Sequence, residues 1–176
     1  TDMDFIRTPL NPHTAQKVAD LWGCVLPTRL MVNAIWKQST TKVEPHSMPL
    51  EGMMTTHVFT SHNSIIRLQL QAVPGYALGN LTGGHKKDVV ICADYSPLHV
   101  AIYGWHYLNG VPIQGPQIQS KFHEDTYRDY SHGIRMVWHV VTVDGQDMNF
   151  DDVLKDPVLC HLLSDECPLR TTRYSY

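Results

Sequence analysis

The sequence lacks several patterns that would place it in a broad class of proteins. It has no run of about 18 apolar residues, the length that a membrane-spanning helix needs, and no signal-peptide pattern. Its 4 cysteines form no CxxC pair, so a structural zinc site is not expected. Positive charge is also scarce, because 14 Lys and Arg stand against 17 Asp and Glu. Without a basic surface, nucleic acid is not expected as a ligand.

Length and composition predict a single globular domain over residues 1–176. Hydrophobic residues make up 43% of the chain and charged residues 18%, a balance that favours a packed core over disorder. Helical patterns come first, strand patterns follow, and the two do not alternate. This order predicts an α+β fold in which N-terminal helices pack on a mostly antiparallel sheet, with a short C-terminal helix.

Periodicity, caps and turn residues predict the individual elements. Helical spacing predicts four helices, over residues 9–23, 28–38, 57–72 and 151–164, the last broken at Pro157. Asn11 or Thr14 can cap the first helix, and Thr28 can cap the second. For the third, a strand is the alternative, because residues 67–73 (RLQLQAV) alternate in polarity. Apolar runs predict three strands, over residues 88–93, 99–107 and 133–143. Tight turns are predicted at two dipeptides, Asn109-Gly110 and Asp144-Gly145.

Side chains that transfer protons are concentrated in one loop-like segment, residues 123–135, just before the last long strand. The four that we single out are His123, Tyr130, Ser131 and His132. If the strand that follows pairs with the strand over residues 99–107, His132 and His106 enter the same cleft. An imidazole titrates near neutral pH, so one histidine can take a proton from water while a second group stabilises the developing anion.

These residues predict a histidine-centred hydrolytic site. His106 and His132 are the acid and base candidates, and His123 is a third polar group or ligand. Tyr130 or Ser131 assists at the reacting centre. The residues expected to orient or bind the substrate are Lys87, Trp105, Tyr127 and Arg135. Lys86, Lys87 and Arg135 could hold a carboxylate or a sulfate of that substrate.

Two other functions use the same residues. No cofactor is expected, but His106, His123 and His132 could instead be the three ligands of a catalytic zinc ion. A non-catalytic module that binds carbohydrate or peptide is the other alternative, with Trp105 in an aromatic platform. Substitution of His132 distinguishes these functions. It would abolish turnover and spare affinity if the protein is an enzyme, and would only weaken binding if it is a binding module.

Cys160 and Cys167 are the cysteines that we expect to form a disulfide. The helical pattern around Cys160 ends soon after it, so the chain can fold back and bring Cys167 beside it. Two free thiols packed in the core remain the alternative.

Residues 87–91 (KDVVI) and 99–103 (HVAIY) resemble the central strands of the NlpC/P60 peptidoglycan peptidases. The resemblance implies that Cys24 is a thiolate nucleophile, that His99 is its base and that Gln114 is a third polar partner. Such a thiol would be activated by a helix N-terminus and an imidazole. The chain departs from that family at Gly23-Cys24-Val25, where the family has Asp-Cys-Ser-Gly, and Pro27 places Cys24 ahead of the helix.

A longer resemblance is to a family of uncharacterised exported microbial proteins. It rests mainly on residues 103–106 (YGWH) and 129–135 (DYSHGIR) and spans nearly the whole chain. It implies an extracellular or periplasmic location and supplies no activity. We therefore expect an extracytoplasmic hydrolase that acts on a small molecule or on a cell-wall or other extracellular polymer.

Overall fold

The computed structural model describes residues 5–94, 96–114 and 122–176 of the chain. Its helices are Pro12–Leu21 (α1), Arg29–Gln38 (α2), Thr56–Gln71 (α3) and Phe150–Lys155 (α4), and a 3-10 helix covers Leu159–Leu162. The four predicted helical regions are confirmed, including the break before the 3-10 helix. Within the described ranges, no helix is both long and apolar enough to cross a membrane.

Local sequence signals start these helices. The Asn11 side chain accepts a hydrogen bond from the Thr14 backbone N–H (2.9 Å), and Pro12 follows as the first helical residue of α1. Thr28 caps α2 in the same way through the Met31 backbone N–H (3.3 Å). Asn11, rather than Thr14, is therefore the cap of α1.

The strands of the described residues are short and form four sheets. They are Cys24–Val25 (β1), Thr41–Lys42 (β2), Thr82–Gly83 (β3), Lys87–Val89 (β4), Ile102–His106 (β5), Pro112–Gln114 (β6), His132–Gly133 (β7), Val137–Trp138 (β8), Val140–Val143 (β9) and Gln146–Asn149 (β10). The largest sheet has the order β6-β5-β4-β7, and the three others pair β1 with β8, β9 with β10 and β2 with β3. Most of these pairs are antiparallel, and β2–β3 and β4–β7 are parallel. The α+β class is thus confirmed.

Two expectations about the strands are wrong. The long strand predicted over residues 133–143 is divided into β7, β8 and β9, which pair with three different partners. The strands that contain His106 and His132 also do not pair with each other, because β4 lies between them. An apolar run indicates that a strand is buried, but it does not identify the neighbouring strand.

The main core lies on one face of the largest sheet. Val89, Ile91 and Ile102 pack there with α1 and α4, and Tyr174, near the end of the described chain, belongs to the same cluster. The other face packs against α2, where Val32 contacts Tyr103. Strand β4, at the centre, therefore has both of its faces covered and holds the residues next to it in fixed positions.

Candidate functional site

The loop before β7 is held by the carboxylate of Asp129. Its Oδ1 atom accepts hydrogen bonds from the Ser131 backbone N–H (2.7 Å) and hydroxyl (2.6 Å). Its Oδ2 atom accepts one from the Tyr127 hydroxyl (2.9 Å). An aspartate that binds the backbone two residues ahead closes a tight turn. This turn delivers His132 to the start of β7, where it lies opposite Lys87 of β4.

His132 is completely buried, and its ring is not hydrogen-bonded to any described residue. Neither of its ring nitrogens has a hydrogen-bond partner among the described residues. The edge of the ring faces Tyr127, with 5.4 Å between ring centroids, and His123 stacks on Tyr127 at 3.9 Å. The structure thus brings His123 and His132 together around one tyrosine. Buried polar atoms are nearly always paired, so the two His132 nitrogens are available to a water molecule or a ligand.

Two lysines adjoin this histidine. Lys86 is only 5% exposed, and its ammonium group donates a hydrogen bond to the Tyr130 carbonyl. The Lys87 ammonium lies over the Trp105 ring, 5.1 Å from its centroid. Burial lowers the pKa of Lys86 to about 8 and lowers the pKa of Lys87 below its usual value. Lys86 is therefore able to release a proton near neutral pH.

Burial keeps the His132 imidazole neutral, whereas neighbouring groups keep the Asp129 carboxylate ionised. It lowers the pKa of His132 to about 4, so that the ring is neutral at pH 7. It would also raise the pKa of Asp129, but the nearby His132, the Ser131 hydroxyl and Lys87 lower that pKa below its usual value. The cluster therefore contains a neutral imidazole, an ionised carboxylate and two ammonium groups.

A cleft of about 330 Å³ borders this cluster. The N-terminal segment 7–10 forms one wall, and β7 with the residues that precede β4 forms the other. Two basic side chains, Arg7 and Lys86, and two imidazoles, His85 and His132, line it, and no Asp or Glu lines it among the described residues. A water molecule or substrate in this cleft would lie next to His132 and Lys86.

His106 lies in a different environment from the one that we predicted. Its Nε2–H donates to Asn33 Oδ1 (2.8 Å), and its ring stacks on Trp36 of α2 at 5.4 Å. It lines a second cleft, of about 380 Å³, together with Trp36, Tyr103 and Asn109. Gly104 (φ 95°) and Trp105 (φ 57°) have left-handed backbones. These two residues interrupt the alternation of β5, so Trp105 packs near Tyr130 while His106 contacts α2.

Several predicted site residues have structural partners. The Tyr130 hydroxyl accepts a hydrogen bond from the Met48 backbone N–H (2.9 Å), and the Ser131 hydroxyl is bonded to Asp129. Arg135 forms an ion pair with Asp88 (3.1 Å) and is therefore already neutralised. Of the predicted residues, the structure gathers His123, Tyr127 and Lys87 around His132, and His132 is the one of them that lines the first cleft.

Cys24 and His99 have separate neighbours. Cys24 lies in β1, before the start of α2, and its thiol donates to the Trp22 carbonyl (3.5 Å). The Nδ1 atom of His99 is hydrogen-bonded to the Ser96 hydroxyl (2.8 Å). Gln114 ends β6, and no described residue bonds its buried Oε1 atom. Cys24 is thus outside the first turn of the helix, where a helix dipole would activate a thiol.

One cluster of side chains could hold a metal ion. Within the described ranges, the ligand atoms of Cys160, His161 and Cys167 all lie within 4.8 Å of one another. The alternative zinc ligands that we predicted, His106, His123 and His132, are not brought that close, because His106 lies against α2. Cys160 and Cys167, the predicted disulfide pair, are adjacent, with sulfur atoms 2.6 Å apart, and both are free thiols in the structure.

Sequence reasoning did not single out Asp129 or Arg7. Asp129 had a local signal, because Asp followed two residues later by Ser is a common turn pattern. Arg7 had none, since its place in the cleft depends on contact with α3, where Asn63 Oδ1 accepts hydrogen bonds from its backbone N–H (3.1 Å) and its guanidinium (3.3 Å).

Comparisons with models of protein families, with curated proteins and with solved structures find no match for this chain. The two family resemblances therefore stay predictions, and the geometry and chemistry of the site are the evidence for function.

Proposed function

We propose that the protein is a hydrolase whose active site is the cleft beside His132. The proposal rests on one observation: His132 is fully buried, its two ring nitrogens have no partner among the described residues, and it borders a cleft next to Lys86. The neutral imidazole of His132 can act as a base, and the adjacent ammonium group of Lys86, whose pKa is lowered, can act as an acid.

The chemistry follows from the two protonation states. The oxygen of a water molecule attacks the electrophilic centre of the substrate, and the water proton passes to a ring nitrogen of His132. Lys86 donates a proton to the leaving group, so the bond to that group breaks without release of a strong base. The proton on His132 then returns to Lys86 through solvent. Asp129 positions the loop and stabilises the imidazolium that forms.

Turnover by a His132 variant tests this proposal. We expect His132→Gln to lower kcat/KM by about 100-fold or more, because a positioned base contributes that much to a proton transfer. The substrates are chromogenic p-nitrophenyl esters, phosphates, sulfates and glycosides. His57→Gln is the matched control, since His57 is exposed on α3. Hydrolysis that is equally fast in His132→Gln and wild type, or absent from the wild type with every substrate, would contradict the proposal.

Binding of an uncharged sugar is a second candidate, favoured by the cleft around Trp36. An indole ring, a phenol and two amide side chains line it, and these groups suit sugar hydroxyls and ring faces. Affinity electrophoresis in gels that contain a soluble polysaccharide tests it. Trp36→Ala should abolish the retardation, and Trp138→Ala, which removes an exposed indole, should retain it. Retardation that survives Trp36→Ala would contradict this candidate.

We also propose that Cys160 and Cys167 form a disulfide in an extracytoplasmic compartment. Loss of two protons and two electrons from the adjacent thiols, to a thiol oxidase or a disulfide reagent, would join their sulfur atoms. Alkylation of the unreduced, unfolded protein followed by mass spectrometry should leave these two cysteines unmodified. Complete alkylation of all four cysteines would contradict the disulfide and leave the cluster available for a metal ion.

A further inference from the structure

No described acidic residue forms an ion pair with the cationic groups of the first cleft or with the adjacent Lys87, in contrast to three arginines elsewhere in the protein. Arg29, Arg135 and Arg173 each form an ion pair with an aspartate, at 2.8, 3.1 and 2.6 Å. Among the described residues, no such ion pair involves Arg7, Lys86 or Lys87, although Lys86 is nearly fully buried. Buried charge without a partner is costly, so it is rarely retained without a role.

The one carboxylate near these cations is occupied elsewhere. Asp129 interacts electrostatically with both Lys86 and Lys87. Its two oxygens, however, already accept three hydrogen bonds from Tyr127 and Ser131. A single carboxylate therefore faces two ammonium groups, and its hydrogen bonds turn it toward its own loop.

The cleft also contains donors that are not used by the protein. The Arg7 guanidinium contacts Asn63, Tyr76 and the ring of Phe5, which are neutral groups, so no carboxylate among the described residues compensates its charge. The His132 ring has no partner among the described residues, and neither does His85 Nδ1. Charged N–H donors that converge on a buried space are how proteins bind oxyanions.

From this arrangement we infer that the first cleft binds an oxyanion, a carboxylate, phosphate or sulfate, between Arg7 and Lys86 and against His132. That this oxyanion is part of the substrate rests on the proposed function, whose substrate class it specifies. Lys86 and Arg7 would neutralise the anion, and a bond to be hydrolysed next to it would lie within reach of His132. The substrate class is thus an anionic ester, amide or glycoside.

Binding of inorganic phosphate, sulfate and acetate to the full chain tests the anion site without any need for turnover. Thermal unfolding and calorimetric titration are carried out at constant ionic strength with chloride as the balancing ion. We expect saturable binding with a Kd of about 1 mM or tighter, and a matching rise in Tm. A response to phosphate or sulfate alone would identify a tetrahedral anion, whereas a response to acetate would identify a carboxylate.

Variants assign the binding to the cleft. Lys86→Met and Arg7→Gln should each weaken the binding about tenfold or more, and Lys155→Met, which removes an exposed lysine of α4, should leave it unchanged. Arg7→Gln keeps the test valid if Lys86→Met does not fold, because Arg7 is only partly buried. Absence of binding by all three anions, or equal binding by wild type and Arg7→Gln, would overturn the inference.

The two proposals fail separately. If anions bind as expected but His132→Gln does not slow hydrolysis, the hydrolase proposal is wrong and the anion site stands. If hydrolysis depends on His132 but no anion binds, the hydrolase proposal stands and the anion site is wrong.

Discussion

At the scale of single residues, burial determines the chemistry of the histidines more than their number does. His62, His106 and His132 are almost inaccessible to solvent, and burial lowers the pKa of each to about 4. All three are neutral at pH 7. Their partners nevertheless differ: His62 bonds to the His46 carbonyl, His106 to Asn33, and His132 to no described residue. Of these three histidines, His132 is the one in which both ring nitrogens lack a partner among the described residues.

These shifts predict a loss of stability in mild acid. In the unfolded chain the three histidines protonate near pH 6.5, but in the folded protein only near pH 4. Their contribution to stability is therefore complete above pH 6.5 and declines as the pH falls toward 4. Each histidine should contribute a slope of up to about 1.4 kcal/mol per pH unit. Urea unfolding at several pH values between 7 and 4 measures this slope.

His132→Gln should reduce the slope of unfolding free energy against pH between pH 6.5 and 4 by up to about 1.4 kcal/mol per pH unit, and His57→Gln should not change it. A slope that is the same in wild type and His132→Gln would show that His132 is protonated equally in the folded and unfolded states.

At the scale of elements, the left-handed backbone of β5 separates the two clefts. Gly104 precedes Trp105, and the reversal at these residues places Trp105 beside Lys87 and His106 beside Asn33. A regular strand would place side chains on alternate faces. The prediction that His106 and His132 share a cleft assumed that regular alternation, along with a strand pairing that β4 prevents.

Gly104→Ala tests the importance of this backbone. A Cβ atom at Gly104 would lie 3.0 Å from Val32 Cγ1, in a conformation that L-residues rarely adopt. We expect a loss of about 1–3 kcal/mol in the free energy of unfolding, measured in urea. Gly75→Ala is the control, because Gly75 has a φ of 75° but no atom within 4 Å of the added Cβ. If both variants lose the same amount, the contact with Val32 has no effect.

The helices and turns could be predicted because their signals are local. Asn11, Thr28 and the Asn109-Gly110 turn act on neighbouring residues, and each has the predicted role. The gathering of His123, Tyr127 and His132 was also within reach, since they belong to one segment. The positions of Arg7, His106 and Lys86 relative to that segment depend on which strands and helices pack together, and one sequence does not specify those partners.

At the scale of the whole molecule, the last residues of the described chain pack against the first helix and the central sheet. The Tyr174 hydroxyl accepts a hydrogen bond from the Ala101 N–H (2.9 Å) and donates one to the Val90 carbonyl (2.8 Å). Its backbone N–H donates to Gln16 Oε1 of α1 (3.1 Å). One buried residue, through its backbone N–H and its hydroxyl, thus links α1, the sheet and the C-terminal segment.

Tyr174→Phe should lower the free energy of unfolding by about 1–3 kcal/mol, because it removes partners from two buried backbone groups. Chemical denaturation measures the change. Tyr176→Phe is the control: its hydroxyl also bonds an acceptor, Asp20, but the side chain is 61% exposed, so the loss should stay within about 0.5 kcal/mol. Equal losses in the two variants would show that burial of Tyr174 adds nothing.

The link through Tyr174 also affects how the protein is made. During synthesis, α1 and the central strands emerge from the ribosome long before the residue that joins them. Strand β1 likewise cannot pair until β8, more than 100 residues later in the chain, has been synthesised. Contacts between distant parts of a chain form slowly, and apolar surfaces stay exposed until they do. The apolar surfaces that Tyr174 and β8 cover are therefore expected to stay exposed until those residues have been synthesised.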